Sequence, residues 1–162
     1  MGHYFYDDVD LKIIKVSLLT TQAKDWANAF IYPNDVNKLA RVGMRIRESK
    51  PGARSFPDNR LNSTQLRKFH LEVKEYEYQL MSANDRDLEF RKIKPLIKML
   101  TSKVAYASSL KTSKEQQGKV PKTFKKFIDD MIQHIETCDD FFAFSKCFEA
   151  VVGFFYGEGG GH

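Results

Sequence analysis

The sequence predicts an all-α fold, a single compact bundle of five or six helices spanning residues 1–162. Three observations predict it. Apolar residues recur at helical spacing through most of the chain, no series of alternating strand patterns interrupts them, and no period of roughly 20–50 residues marks a repeat architecture. The length suits one domain, and a 42% hydrophobic, 13% aromatic composition supplies a sizeable core.

Residues 1–20 leave two choices open, since Leu11, Ile13, Ile14, Val16, Leu18 and Leu19 fit a strand as well as a helix start. From Thr21 a short helix carries Trp26 and Phe30 and ends before Pro33, because proline drives its predecessor out of the helical region. Asn34 or Asp35 caps a helix over residues 35–48. Val36, Leu39, Gly43 and Met44 line its apolar side, and Lys38, Arg41 and Arg45 form a basic stripe. Residues 49–60, with Pro51, Gly52 and Pro57 among Lys50 and Arg54, read as a mobile basic loop. The next helix starts at Asn62 or Ser63 and repeats Leu66, Phe69, Val73, Tyr76 and Leu80 on one face.

Beyond a turn at residues 82–85, Ile93, Leu96, Leu100, Val104 and Ala107 carry a helical pattern to Leu110, which Pro95 either kinks or divides. Residues 111–120 read as a polar loop ordered only by a partner. Pro121 suits a first helical position, and Phe124, Phe127, Ile128, Met131, Ile132 and Ile135 make a wide apolar stripe. A last helix answers with Phe141, Phe144, Phe148, Val151, Val152 and Phe155. These two stripes are expected to build most of the core, with part left for a subunit interface. Residues 157–162 read as a Gly-rich tail.

A net charge of +5 and a pI near 9.1 decide little alone. Segregation decides more. Residues 38–74 hold ten Lys/Arg against three acids and residues 91–126 eleven against one, whereas residues 127–162 sum to −6. Faces of opposite sign suit an anionic partner on one side and a basic protein neighbour on another. No stretch approaches the ~20 apolar residues of a bilayer span, and Asp7, Asp8 and Asp10 stand where a signal peptide has its basic front. The expectation is therefore a cytoplasmic protein with no membrane partner. Cys138 and Cys147 point in different directions from one helix, which argues against a disulfide.

Catalytic constellations are lacking. His134 and Cys138 share a helix face, but two ligands do not make a zinc site and a buried role is expected for both. Asp129 with Asp130, and Asp139 with Asp140, diverge as helix neighbours and read as a solvated face. Gly157 to Gly161 lack the lysine and following helix of a phosphate loop. Neither enzymatic activity nor a metal or cofactor is expected. What remains is the basic chemistry of Arg41, Arg45, Arg54, Lys122 and Lys125, which suits phosphate neutralisation, with Tyr78 and Tyr106 able to stack on bases. Tyr76 sits in an apolar stripe and is expected in the core.

Three separated strings add to this reading. They are Ser63-Thr64-Gln65-Leu66-Arg67-Lys68-Phe69; Lys94-Pro95-Leu96 through Leu100, Lys103, Ala105 and Tyr106; and Phe144 through Phe148-Glu149-Ala150-Val151-Val152 with its Gly-rich finish. Over about residues 60–161 the chain resembles the small-subunit family of the type III-A CRISPR–Cas effector, the second protein of the Csm complex. The resemblance implies an all-helical, non-catalytic subunit. Several copies would stack inside a ribonucleoprotein filament, beside guide RNA and target RNA, with the backbone and large subunits as partners; homodimers are a further option. It also implies RNA-backbone contacts at Arg67, Lys68 and Lys103, and a structural Glu149. Where the pattern often has an arginine a turn after the tyrosine, this chain has Leu110 followed by Lys111. Two other readings compete: a helical interaction module whose basic face meets an acidic protein, and a small metal- or histidine-dependent nuclease.

Overall fold

The computed structural model describes residues 3–45, 58–109 and 120–161. Among these, eight helices and one two-stranded hairpin follow in order, and six of the helices have ten residues or more. The fold is all-α, as predicted.

The ambiguous first twenty residues divide between both choices. β1 (Tyr6–Asp8) and β2 (Ile13–Ile14) pair antiparallel with an irregular register, and α1 (Val16–Leu19) follows at once. Phe5, Tyr6 and Leu18 are buried while Val9, Leu11, Ile13 and Val16 are exposed, so this segment has apolar residues on two sides and its pattern favours neither period. α2 (Thr21–Ile31) buries Ala23, Trp26, Ala27 and Phe30.

α3 (Val36–Arg41) begins at Asp35, whose carboxylate accepts from the backbone N–H groups of Asn37 and Lys38 at 3.0 and 3.2 Å. The helix expected to continue to residue 48 stops here. Gly43 takes φ +76°, and the N–H groups of Gly43 and Met44 bond back to the carbonyls of Ala40 and Leu39 at 3.1 and 2.9 Å. That double closure is a glycine-dependent helix stop. Gly43 fits helical spacing as well as a stop, which is why spacing alone overextends the helix. Arg45 consequently lies beyond the helix, and residues 46–48 lie outside the described residues.

α4 (Ser63–Met81) is capped by Asn62, whose side chain accepts from the Gln65 N–H at 2.8 Å. α5 (Arg86–Lys98) contains Pro95 within its helix, and the break comes instead at Met99, before α6 (Leu100–Ser109). Leu96, expected in the core, is 46% exposed, and Ile97 takes its place with Ile93, Leu100 and Val104. Residues 93, 97, 100, 104 and 107 hold the tighter helical stripe. Pro121 stands at the N-cap of α7 (Lys122–Ile132), one residue earlier than expected. α8 (Cys138–Gly157) opens with a capping box, Thr137 accepting from the Asp140 N–H at 3.1 Å and Asp140 accepting from the Thr137 N–H at 3.0 Å. The Gly-rich end is a packed cap rather than a tail: Gly160 donates to the Phe155 carbonyl at 2.7 Å, and Arg60 donates to the Gly159 carbonyl at 3.1 Å.

The core is aromatic. Phe127 of α7 meets Trp26 and Phe30 of α2 at ring-centroid distances of 5.4 and 5.6 Å and Phe148 of α8 at 5.5 Å, all edge-on. The stripes of α7 and α8 therefore do meet, with α2 wedged against both. α4, α5 and α6 cover the remaining side through Leu66, Phe69, Phe90, Ile93, Leu100 and Val104. Their opposite faces are left to solvent.

Candidate nucleic-acid interface

Arg67 and Lys68 project from α4 on the side away from its buried Leu66, Phe69 and Val73, and both are exposed. Arg67 donates to the Tyr156 hydroxyl at 3.2 Å, which steadies the guanidinium against α8 and leaves its charge unneutralised. Lys68 lies 5.9 Å from the Phe69 ring centroid. One turn further along the Lys68 stripe is Glu72, which binds the Lys103 ammonium of α6 in a short ion pair. This contact raises the Lys103 pKa, so the side chain stays charged but held. Arg67 is thus steadied on the α8 side of α4, while Lys103 of α6 is held at Glu72, on the Lys68 side.

A second group gathers around the end of α3 and the start of α7. Arg41 is 4.0 Å from Asp25, Lys125 pairs with Asp129 at 2.5 Å, and Lys126 pairs with Asp130 at 3.0 Å. A Cβ placed on Gly43 would lie 3.9 Å from Cε of Lys126, so the α3 stop rests against α7. Lys122 is exposed, and its backbone N–H donates to the Asp58 carboxylate at 3.2 Å. Asp58 in turn exchanges backbone hydrogen bonds with the Asn34 amide at 2.8 and 2.9 Å. The chain leading into α4 is thereby tied to the starts of both α3 and α7. Arg54 and Lys111 lie outside the described residues.

Ion pairing divides these candidates. Among the described residues, Arg45, Arg67, Lys68 and Lys122 have no carboxylate within 4.0 Å, whereas Arg41, Lys103 and Lys125 do. Sequence reasoning missed this division because the acids that decide it, Asp25 and Glu72 in particular, come from other helices. Tyr78 and Tyr106 are 75% and 66% exposed, while Tyr76 is half-buried and donates to Glu72 at 3.3 Å.

The other chemistry is structural. Asp129 and Asp130 are consumed by lysines a turn away, Asp140 is a cap, and Asp139 is 3.6 Å from Lys12. His134 stacks on Tyr4 at 3.7 Å and hydrogen-bonds the Asp130 carbonyl at 2.7 Å. Both thiols are free and buried, and burial pushes Cys138 up to about 11 and Cys147 up to about 12, far from a nucleophile's range. Glu149 bonds Lys74 at 3.2 Å, linking α8 to α4. The described residues contain no group of three or more His, Cys, Asp or Glu placed to hold a metal, and no helix long and apolar enough to cross a membrane.

Fold and surface together define a small all-helical protein whose unpaired basic side chains stand on the outside of its helices. A family model described as Csm2 Type III-A matches residues 41–159. The chain belongs to that family, the small subunit of the type III-A CRISPR–Cas Csm complex, and membership implies association with other subunits of the complex. Comparison with curated proteins and with solved structures gives no match.

Proposed function

We propose that this chain is a non-catalytic subunit that holds the phosphate backbone of guide RNA and target RNA in a cytoplasmic antiviral effector, without reading sequence. What carries the reading is the set of exposed bases without an acid partner among the described residues, Arg67 and Lys68 on α4 with Arg45 and Lys122 at the second group. A phosphate meeting such a base displaces only solvent and counterions, whereas at Lys103 or Lys125 it must compete with a carboxylate already in place. Arg67 and Lys68, with Arg45 and Lys122, are therefore the principal contacts, and Arg41, Lys103 and Lys125 weaker ones. Arg54 and Lys111 extend the same proposal from sequence. Selectivity resides in guide–target pairing, since backbone contacts position a nucleic acid without specifying it. Copies of the chain associate with one another and with the backbone and large subunits.

Fluorescence anisotropy of two unstructured RNAs of unrelated sequence, titrated with the full chain without divalent metal, tests this. Equal affinities that fall steeply with salt are expected. Absence of binding at low salt, or a marked preference for one sequence, contradicts the proposal, and the first result favours a module for an acidic protein.

A further inference from the structure

The Gly-rich end of α8 holds two arginines, of which only Arg67 figures in the RNA reading. The N–H groups of Glu158, Gly159 and Gly160 bond back to the carbonyls of Phe154, Tyr156 and Phe155 at 2.8, 3.2 and 2.7 Å, and Gly159 takes φ +91°. The fold-back is tight. A Cβ on Gly160 would lie 2.6 Å from the ring of buried Phe155, and one on Gly161 2.7 Å from the Tyr156 ring, so glycine alone lets the chain lie against both rings. The closed cap offers two uncharged acceptors. Arg60 donates to the Gly159 carbonyl at 3.1 Å and Arg67 to the Tyr156 hydroxyl at 3.2 Å, while the acid of the cap, Glu158, lies 3.5 Å from Lys24.

Arg60 is anchored from its backbone as well. It precedes buried Leu61, whose N–H donates to the Phe30 carbonyl at 2.9 Å, and Asn62, the cap of α4. Its side chain is exposed and, among the described residues, has no carboxylate within 4.0 Å. Each arginine therefore spends one N–H on a neutral group and keeps the others, with its full charge, for an anion. The negative end of the α8 dipole favours cations at this place, and side chains fixed in advance lose little freedom on binding. The Tyr156 hydroxyl accepts from Arg67 and so keeps its own proton to donate, on a residue 40% exposed. We infer that Arg60 is a further phosphate contact and that the α8 cap is its positioning device, so that Arg60, Arg67 and the Tyr156 hydroxyl grip neighbouring phosphodiesters of one RNA strand. This rests on the RNA reading above and deepens it. Sequence spacing does not single out Arg60, which lies outside every helix and whose partner is 99 residues away.

Anisotropy of an unstructured RNA, titrated with the full chain at several salt concentrations, tests the clamp. Arg60→Ala is expected to weaken binding about fivefold and to make the slope of log affinity against log salt shallower by about one. Tyr156→Phe removes no charge. It is expected to weaken binding about threefold at the parent slope, because Arg67 stays charged but loses its orientation. Gly160→Ala, which pushes the cap off the Phe155 ring, should do the same to Arg60. Arg60 and Tyr156 are exposed and Tyr156→Phe keeps the ring, so these two variants retain the fold whatever Gly160→Ala does. An Arg60→Ala chain that binds RNA as the parent does overturns the inference and leaves the RNA reading standing. So does a Tyr156→Phe chain with the parent affinity, since a merely solvated basic face is indifferent to that hydroxyl. A parent chain that binds no RNA at low salt refutes the RNA reading itself, and the clamp with it.

Discussion

α4 and α7 both carry basic residues on their outer sides, yet they treat them differently. On α7, Lys125 and Lys126 are each paired one turn later with Asp129 and Asp130, and the opposite side buries Phe124, Phe127 and Ile128. On α4, Arg67 and Lys68 face no acid among the described residues. Equal charge along the chain therefore produces unequal availability at the surface. Among the described residues α7 pairs Lys125 and Lys126 along its own helix, leaves only Lys122 at its start unpaired and gives its aromatic face to the core. α4 pairs Lys74 with Glu77 and Glu149 and keeps Arg67 and Lys68 free for an outside anion.

The largest expected effect breaks α7 from the inside. Phe127→Ala removes the ring that joins α2, α7 and α8, and should cost about 3–5 kcal/mol in urea unfolding. Alkaline pH tests the same core from the α8 side. An unfolded cysteine ionises near 9, but folded Cys138 and Cys147 hold their protons to about 11 and about 12. Over that window the folded state binds more protons than the unfolded state. Stability is therefore complete below pH 9 and falls from there to about 12, and Cys147→Ala should flatten the decline in pH-dependent unfolding. Gly43→Ala comes next. The added methyl meets only Cε of Lys126 at ordinary contact distance, so the cost is the positive φ alone, about 1 kcal/mol by the same measurement. The smallest effect falls on the surface pair: Lys125→Ala should change stability by no more than about 0.5 kcal/mol and RNA affinity less than Arg67→Ala does.

The aromatic core was legible in sequence because Phe124, Phe127, Phe141 and Phe148 recur at the period of a helix and their burial follows from that period. The exchange of Leu96 for Ile97 was not, since two adjacent apolar residues satisfy a stripe equally well until the neighbouring helices fix its direction. The hairpin was legible in part, since Ile13 and Ile14 of β2 belong to the run that fits a strand as well as a helix start, whereas its buried residues, Phe5 and Tyr6, precede that run. At the candidate interface, Arg67 and Lys68 could be named from their string, but their freedom and the capture of Lys103 by Glu72 depend on contacts between helices 31 residues apart in the latter case. Charge is a local property of sequence, and its availability is a tertiary one.

The most direct test compares the salt dependence of RNA binding in the parent chain, in Arg67→Ala with Lys68→Ala, and in Lys125→Ala. If α4 supplies the free charge, the double variant weakens binding to every RNA alike and makes the slope of log affinity against log salt shallower by about two, one per lost contact, while Lys125→Ala leaves it near the parent value. An unchanged slope in the double variant, or an equal loss at Lys125, would contradict the assignment of the RNA-holding surface to α4.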